Sequence, residues 1–201
     1  MKNKLLLSAF LCFMFMELGF AQMRFGARVS GSMTNITNVH SYSKSRGGFQ
    51  VAAMAMIPIT NDDLLFFQPE INYSAQGEFD QPKRPDKTSV KQKVFTNFIN
   101  VPLNMKMYFT DAQSEFFALA GPYLGFKVSE KTDVYDFKTE ADDNEYAGFD
   151  FGVNIGIGYS LQRQVEFSLR YSYGLVDQVK NDAANKSNNT SILNLGVGYF
   201  F

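Results

Sequence analysis

The sequence has little of the chemistry that most enzymes and metal proteins use: its 201 residues include one cysteine, one histidine and no tryptophan. Cys12 lies in an amino-terminal segment with the pattern of a cleaved signal, so the mature chain can form neither a disulfide nor a thiolate metal site. The single histidine, His40, cannot supply the several clustered ligands of a transition-metal site. The 19 basic and 20 acidic residues give no positive excess, and no glycine-rich phosphate loop is present. We therefore expect no metal, no cofactor and no nucleic-acid partner.

The sequence also lacks an amino-terminal apolar run long enough for a membrane-spanning helix, which needs about 20 residues. Two lysines precede an apolar core from Leu5 to Met16, and small residues follow up to Ala21. A positive start, a short apolar core and small residues at the cleavage point are typical of a secretory signal. We predict a signal peptide over residues 1–21 and one domain over residues 22–201.

What the mature chain does contain is strict alternation of apolar and polar residues. From Phe149 the odd positions are large and apolar and the even positions are small or polar, and the pattern resumes after a short turn that follows Leu161. A period of two predicts β-strands. The polar face holds mostly Gly, Ser and Asn instead of the Lys and Glu of a soluble surface. We therefore expect this face to fill a narrow barrel lumen and the apolar face to meet outer-membrane lipid.

The same alternation recurs in eight segments. The connections between these segments are alternately long polar loops and short turns. We place the long loops at residues 35–47, 77–93, 130–147 and 176–188. This asymmetry predicts an all-β fold, an eight-stranded antiparallel up-and-down transmembrane β-barrel in the cell outer membrane, with both termini on the periplasmic side. Pro69, in the third predicted strand, removes one hydrogen bond from the ladder, so we expect a β-bulge there.

Four short motifs in successive strands resemble a known family. They are Gln68-Pro69-Glu70-Ile71-Asn72-Tyr73, Asn100-Val101-Pro102-Leu103-Asn104-Met105-Lys106, Ala120-Gly121-Pro122-Tyr123-Leu124-Gly125 and Leu169-Arg170-Tyr171-Ser172-Tyr173-Gly174-Leu175. In this order and spacing they resemble the PorT-like outer-membrane β-barrel family of Gram-negative bacteria. The resemblance implies an eight-stranded barrel similar to the OmpA membrane domain, and it implies no uniform biochemical activity.

The last strand carries a second resemblance. Leu195, Val197, Tyr199 and the terminal Phe201 alternate on one face. This pattern is similar to the carboxy-terminal signal that the outer-membrane assembly machinery reads. The resemblance implies that this machinery is a partner of the chain through the strand that ends in Phe201.

Seven charged residues share the parity of the predicted lumen: Arg28, Glu70, Lys106, Lys127, Asp150, Glu166 and Arg170. A charge in a lumen with little water must be paired, because an unpaired buried charge costs several kcal/mol. We interpret the set as a lumen charge network that plugs the barrel. The alternative is a small gated channel or transporter of the porin type. From strand adjacency we expect Glu70 to pair with Lys106 and Lys127 to pair with Asp150.

Two of the predicted outer loops carry opposite charge. The second loop is basic and the third is acidic, and we expect these neighbours to lean together over the barrel mouth. Their charged residues form a predicted outer-loop interaction surface for an extracellular ligand or protein: Lys83, Arg84, Lys87, Lys91, Lys93, Asp133, Asp136, Glu140, Asp142, Asp143 and Glu145. The acidic residues lack the spacing and central glycine of a calcium loop, so we predict no metal site.

An enzyme built at the outer rim is a third alternative, after the anchor and the channel, and we do not expect it. His40 lies in the first long loop beside Ser41 and Ser43, but a triad also needs an orienting acid beside the base. One loop histidine is more often a solvated surface residue. We therefore predict a non-enzymatic outer-membrane protein that acts as a structural anchor or as a surface-loop interaction module.

Overall fold

The computed structural model describes residues 23–36, 44–80, 92–133, 146–179 and 187–201. It contains the strands β1 (Arg24–Ile36), β2 (Lys44–Pro58), β3 (Leu65–Asp80), β4 (Gln92–Tyr108), β5 (Glu115–Asp133), β6 (Phe149–Leu161), β7 (Val165–Gly174) and β8 (Thr190–Phe200). Each strand pairs antiparallel with the next, and β8 pairs with β1 to close the barrel. The predicted eight-stranded antiparallel barrel is therefore confirmed. The predicted signal peptide and His40 lie outside the described residues.

No helix among the described residues is long and apolar enough to cross a membrane.

The side chains alternate between the two faces of the barrel wall as the sequence predicts. On β6, Ile155 and Ile157 are 57% and 61% exposed, whereas Asp150 and Asn154 are buried in the interior. The same alternation holds on β1 and β8, where buried residues alternate with exposed apolar ones such as Val29, Met33 and Leu195. Because the side-chain period of a strand is two, this pattern fixes which face points inward.

Several strands extend further toward the long connections than the sequence predicts. β3 continues to Asp80, and its register with β4 runs without a break from Gly77↔Phe95 to Asp80↔Gln92. β5 likewise continues to Asp133. The predicted loop boundaries at 77 and 130 were wrong. They rested on the alternation of apolar and polar residues, and the backbone ladder continues beyond the point where that alternation ends.

The β-bulge predicted at Pro69 was wrong. Pro69 pairs with Leu103, and Asn72 pairs with Asn100 in the same register, so the ladder passes the proline without a shift. Register shifts occur instead between Ser45 and Gln50 of β2, where β2 pairs with β3, and between Asn97 and Phe98 of β4, where β4 pairs with β5. The first shift contains Gly48, where an added Cβ would meet the Ala75 carbonyl oxygen at 2.1 Å. The bulge therefore forms where a glycine lets two backbones approach closely.

The interior has three layers from one end of the barrel to the other. An apolar cluster, the turn-end plug, lies near the short turns, and a smaller one, the loop-end plug, lies near the long connections. The turn-end plug consists of Ala52, Met54, Met56, Phe66, Tyr108, Phe117, Leu119 and Phe200, and the loop-end plug consists of Ile36, Val94, Tyr146 and Val179. Buried polar and charged side chains fill the space between the plugs. Of the seven charges predicted for the lumen, this middle layer holds Arg28, Glu70 and Arg170.

Candidate functional site

Glu70 is the centre of the polar layer. Its carboxylate accepts hydrogen bonds from Arg28 Nη2 at 3.0 Å, from Arg170 Nη1 at 2.5 Å and from Gln68 Nε2 at 2.7 Å. Both ion pairs are buried, and the Glu70 side chain has no exposed surface. Two guanidinium groups therefore share one carboxylate, which satisfies both oxygens of Glu70 with charge-assisted bonds.

The position of Arg170 depends on a missing side chain on the neighbouring strand. Gly156 is the register partner of Arg170. A Cβ added at Gly156 would lie 2.9 Å from Arg170 Cγ. The small residues of the inward face therefore leave the volume that the long charged side chains need to reach across the lumen.

Lys106 and Glu166 form a third buried ion pair, which lies within the turn-end plug. The Tyr108 hydroxyl also donates to Glu166 Oε1 at 2.8 Å. Lys106 Nζ lies 4.1 Å from the centroid of the Phe117 ring and 5.2 Å from that of Phe200. The aromatic faces and the carboxylate together compensate a cation that has no exposed surface.

The remaining two predicted lumen charges lie near the loop-end plug and have separate partners. Asp150 is buried and accepts a hydrogen bond from the Tyr123 hydroxyl at 2.7 Å. Lys127 is only partly buried, and it pairs with Glu130 at 2.5 Å and donates to the Tyr146 carbonyl oxygen at 2.6 Å. Lys127 therefore ties β5 to the loop-end plug and lies outside the central layer.

Both predicted ion pairs were wrong. Lys106 lies opposite Phe66 in the register of β3 and β4, and Phe66 is four residues along β3 from Glu70. Asp150 accepts a hydrogen bond from Tyr123 and does not pair with Lys127. We expected each charge to pair with a charge on the neighbouring strand. The alternation does not reveal the register, which decides which residues of two strands lie opposite each other. In a barrel of eight strands the lumen is narrow enough for side chains to meet across it. Arg170 on β7 accordingly reaches Glu70 on β3, halfway round the barrel.

A small cavity lies beside the Glu70 cluster. Its volume for a water-sized species is about 20 Å³, and its lining includes Arg28, Asn72, Asn100, Tyr123, Arg170 and Asn194. The three asparagines are buried. The alternation places all three asparagines on the polar face of their strands. We did not assign them to the site, because the alternation shows which face a side chain lies on and does not show whether it lines a cavity.

Arg163 closes the turn end of the barrel from outside the turn-end plug. Its guanidinium bonds Glu115 Oε1 at 2.6 Å and the backbone carbonyl oxygens of Asp63 and Thr110 at 2.9 and 3.3 Å. It also lies 4.7 Å from the centroid of the Tyr108 ring. One side chain therefore joins all three short turns. The sequence analysis did not select Arg163, because a turn arginine gives no signal in the alternation.

Most of the predicted outer-loop surface lies outside the described residues: Lys83, Arg84, Lys87, Lys91, Asp136, Glu140, Asp142, Asp143 and Glu145. The two that are described, Lys93 and Asp133, are register partners at the ends of β4 and β5. The basic and acidic segments therefore start from adjacent positions on the barrel rim. Within the described ranges, no group of three or more His, Cys, Asp and Glu side chains is placed to hold a metal ion.

Comparison with known proteins identifies one family and several barrels of similar fold. The model of the outer membrane protein beta-barrel domain matches residues 20–180. The solved structure of Ail from Yersinia pestis with the heparin analogue sucrose octasulfate is similar at a TM-score of 0.48 and 10% identity, over 89% of this chain and 99% of that one. OprG from Pseudomonas aeruginosa has a TM-score of 0.44 and 13% identity, over 89% and 94% of the two chains. The outer membrane enzyme PagL has a TM-score of 0.46 and 10% identity, over 86% and 98%. No curated protein matches the sequence.

Proposed function

The chain belongs to the outer membrane protein beta-barrel domain family, and on this basis we propose that it is a non-enzymatic anchor whose closed barrel holds its long connections at the cell surface. In this proposal the short turns and both termini face the periplasm, and the long connections face outward. The narrower PorT-like assignment is part of the same proposal, and it rests on the four motifs alone. No catalytic group is assigned, because His40, beside Ser41 and Ser43 in the sequence, has no assigned orienting acid, which a triad needs.

The observation that carries the proposal is the closure of the lumen at both ends. Phe117 and Phe200 in the turn-end plug and Val94 in the loop-end plug have no exposed surface. Tyr146 and Val179 form a β-bridge that brings the third and fourth long connections together over the interior. Ions crossing this lumen would have to displace packed apolar side chains at each end, which supports an anchor over a channel.

The alternative function is a small gated channel, and the polar middle layer favours it. Buried charges in the centre of a barrel can line an ion path as well as plug one. The three buried ion pairs and the apolar plugs would then have to open together. The anchor and the channel therefore differ in one measurable property, the conductance of the folded protein.

Single-channel recording on the refolded mature protein separates the two. We expect the wild-type protein to give no steady conductance steps. A matched double variant, Phe117→Ala with Tyr146→Ala, removes one large side chain from each plug and leaves the lipid face unchanged, so it should conduct more than the wild type. Steady steps from the wild-type protein, of the size that the variant gives, would instead establish the channel.

The proposed partners follow from the ends of the strands. Lys93 and Asp133 lie side by side where β4 and β5 end, so segments of opposite charge leave the rim together. This placement supports an extracellular ligand or protein as the partner of the long connections.

At the other end, Phe201 is 76% exposed and its ring lies 5.5 Å from that of Tyr199. This exposure supports recognition of the last strand by the outer-membrane assembly machinery.

A further inference from the structure

Four cations lie together on the outer surface of the barrel wall, at the end that carries the long connections. We call them the wall patch, and each is exposed or partly exposed: Lys44, Arg46, Lys93 and Lys131. In the register of the wall, Lys44 and Lys93 both pair with Phe79, and Lys131 pairs with Phe95. The residues that alternate with these two phenylalanines, such as Val94, are buried in the interior. The wall patch therefore faces away from the lumen.

Arg46 reaches the other cations across β3, at a residue that has no side chain. Gly77 is the register partner of Phe95 and has a φ of 141°. A Cβ added at Gly77 would lie 2.9 Å from Arg46 Nη1. The guanidinium donates to the Gln76 carbonyl oxygen, and its Cζ lies 4.0 Å from the centroid of the Phe95 ring. Stacking on Phe95 and the bond to β3 therefore fix this cation on the wall.

Nearer the middle of the barrel, the outer face of the same four strands is apolar. One row of register partners runs across them: Val51, Tyr73, Ile99 and Phe126. Closer to the long connections lie Asn97 and Ser129, whose side chains share a hydrogen bond of 2.7 Å. The wall patch follows beyond this polar pair. The cations therefore lie past the edge of the apolar band, which is the level of lipid head groups.

The charge of the wall patch is not balanced by the acidic residues around it. In the rows of register partners that hold the patch, Asp133 lies opposite Lys93, so four cations stand against one acidic residue. Glu130 is paired with Lys127. The turn end has the opposite character, with three exposed acidic residues: Asp62, Asp63 and Asp111. A surplus of positive charge at the edge of an apolar band favours an anionic lipid surface.

We propose that the wall patch binds the phosphate groups of an anionic lipid of the outer leaflet, whose acyl chains lie on the apolar row below. The planar guanidinium of Arg46 matches the geometry of a phosphate, and the lysines add point charges. A lipid is favoured over a free anion or a protein, because the cations and the apolar surface are continuous on the same strands. The proposal adds a ligand to the anchor and rests on the proposed outward orientation of the long connections. It differs from the predicted outer-loop surface, which shares only Lys93 with the wall patch.

Lipid A with two phosphate groups is the probe, because phosphatase treatment removes the phosphates and keeps the sugars and acyl chains. Native mass spectrometry of the refolded mature wild-type protein in detergent micelles counts bound lipid and gives its dissociation constant. We expect one bound lipid A, with a dissociation constant at least about tenfold lower than that of the dephosphorylated lipid. Equal constants for the two lipids would overturn the proposal. Displacement of lipid A by an equimolar amount of inorganic phosphate would also overturn it, since the ligand would then be a free anion.

This experiment distinguishes the lipid site from the anchor function. Both ends of the barrel are accessible in micelles, so the result does not depend on the orientation of the protein in the cell. A protein that does not discriminate between the two lipids would leave the anchor proposal standing. Steady conductance by the wild-type protein would overturn the anchor and leave the lipid site standing.

Charge removal localises the site on the wall. The triple variant Arg46→Gln, Lys93→Gln and Lys131→Gln should weaken lipid A binding on the order of 100-fold, since each cation near an anionic lipid contributes about fivefold. Lys93→Arg with Lys131→Arg keeps both charges and should bind as the wild type does. Lys127→Gln removes a cation from the lumen side of the same end and should change the constant less than about twofold. A triple variant that binds lipid A as tightly as the wild type would overturn the proposal.

Discussion

At the scale of single residues, burial decides which interactions in this protein have large energies. Lys106 and Glu166 are both buried, and each compensates the charge of the other. Exposed ion pairs are worth under about 1 kcal/mol, whereas removing one partner of a buried pair leaves a charge that costs about 3 to 5 kcal/mol. The interior pairs are therefore the residues at which single substitutions have the largest effect.

A double-mutant cycle on Lys106 and Glu166 measures this effect. We expect Lys106→Met to lower the free energy of unfolding by about 3 to 5 kcal/mol, because Glu166 keeps its charge and loses its cation. Lys106→Met together with Glu166→Gln should cost less than Lys106→Met alone, since glutamine still accepts from Tyr108. Urea unfolding in phospholipid vesicles gives the three differences. A coupling energy near zero would show that the two side chains are independent.

The residues of the interior could be predicted from the sequence, but their partners could not. Alternation placed Glu70, Asp150 and Arg170 on the inward face, and the structure has them there. Predicting that Arg170 reaches Glu70 requires the register of every strand between them and the width of the lumen. Neither quantity leaves a trace in a pattern of period two.

At the scale of elements, the short turns are held together by a contact that bridges distant parts of the chain. Arg163 lies in the turn between β6 and β7, and it donates to backbone carbonyl oxygens in both of the other short turns. Its ion-pair partner, Glu115, is buried at the start of β5 and also accepts from the Thr110 backbone N–H at 2.8 Å. One guanidinium group therefore contacts all three short turns.

Replacing Arg163 tests this role. Arg163→Ala should lower the free energy of unfolding by about 1.5 to 3 kcal/mol, the range for hydrogen bonds to charged groups. Arg163→Lys keeps the charge but loses the planar fork of donors, so it should recover only part of the loss. Denaturant midpoints of the three proteins in the same vesicles provide the comparison. If Arg163→Ala unfolds at the wild-type midpoint, the turns are held by other contacts.

The elements themselves were predictable to a large extent, and the errors have a common cause. All eight strands follow from alternation, because each spans lipid and must present an apolar face. The ends of β3 and β5 and the bulge positions depend on the backbone ladder instead. Pro69 removes one donor, yet the register around it is unchanged, whereas Gly48 lies within a register shift.

At the scale of the whole molecule, the short turns and the long connections lie at opposite ends of one closed barrel. The outward orientation of the long connections is a proposal that labelling of whole cells can test. Cys12 is the only cysteine in the sequence, so residues 22–201 contain none and a single cysteine can be introduced at any position there. We expect an impermeant maleimide to label a cysteine at Lys83, between β3 and β4, and not one at Asp111, between β4 and β5. Labelling of Asp111 but not of Lys83 would show the opposite orientation.

The central claim of this account is that the apolar face of the wall meets lipid while the polar face fills a closed interior. Because the chain has no tryptophan, a single introduced tryptophan is the only indole in the protein. Ile155→Trp places it on the exposed apolar face of β6, and Phe98→Trp places it in the buried interior. Both are substitutions of one large apolar side chain by another.

Fluorescence quenching in vesicles made with acyl-chain-brominated lipid is the measurement that tests this claim most directly. The tryptophan of Ile155→Trp should be strongly quenched by the brominated lipid and hardly quenched by iodide in the aqueous phase. The tryptophan of Phe98→Trp should be protected from both quenchers. Strong quenching of Ile155→Trp by iodide, with no effect of the brominated lipid, would contradict the account, because the apolar face would then lie in water.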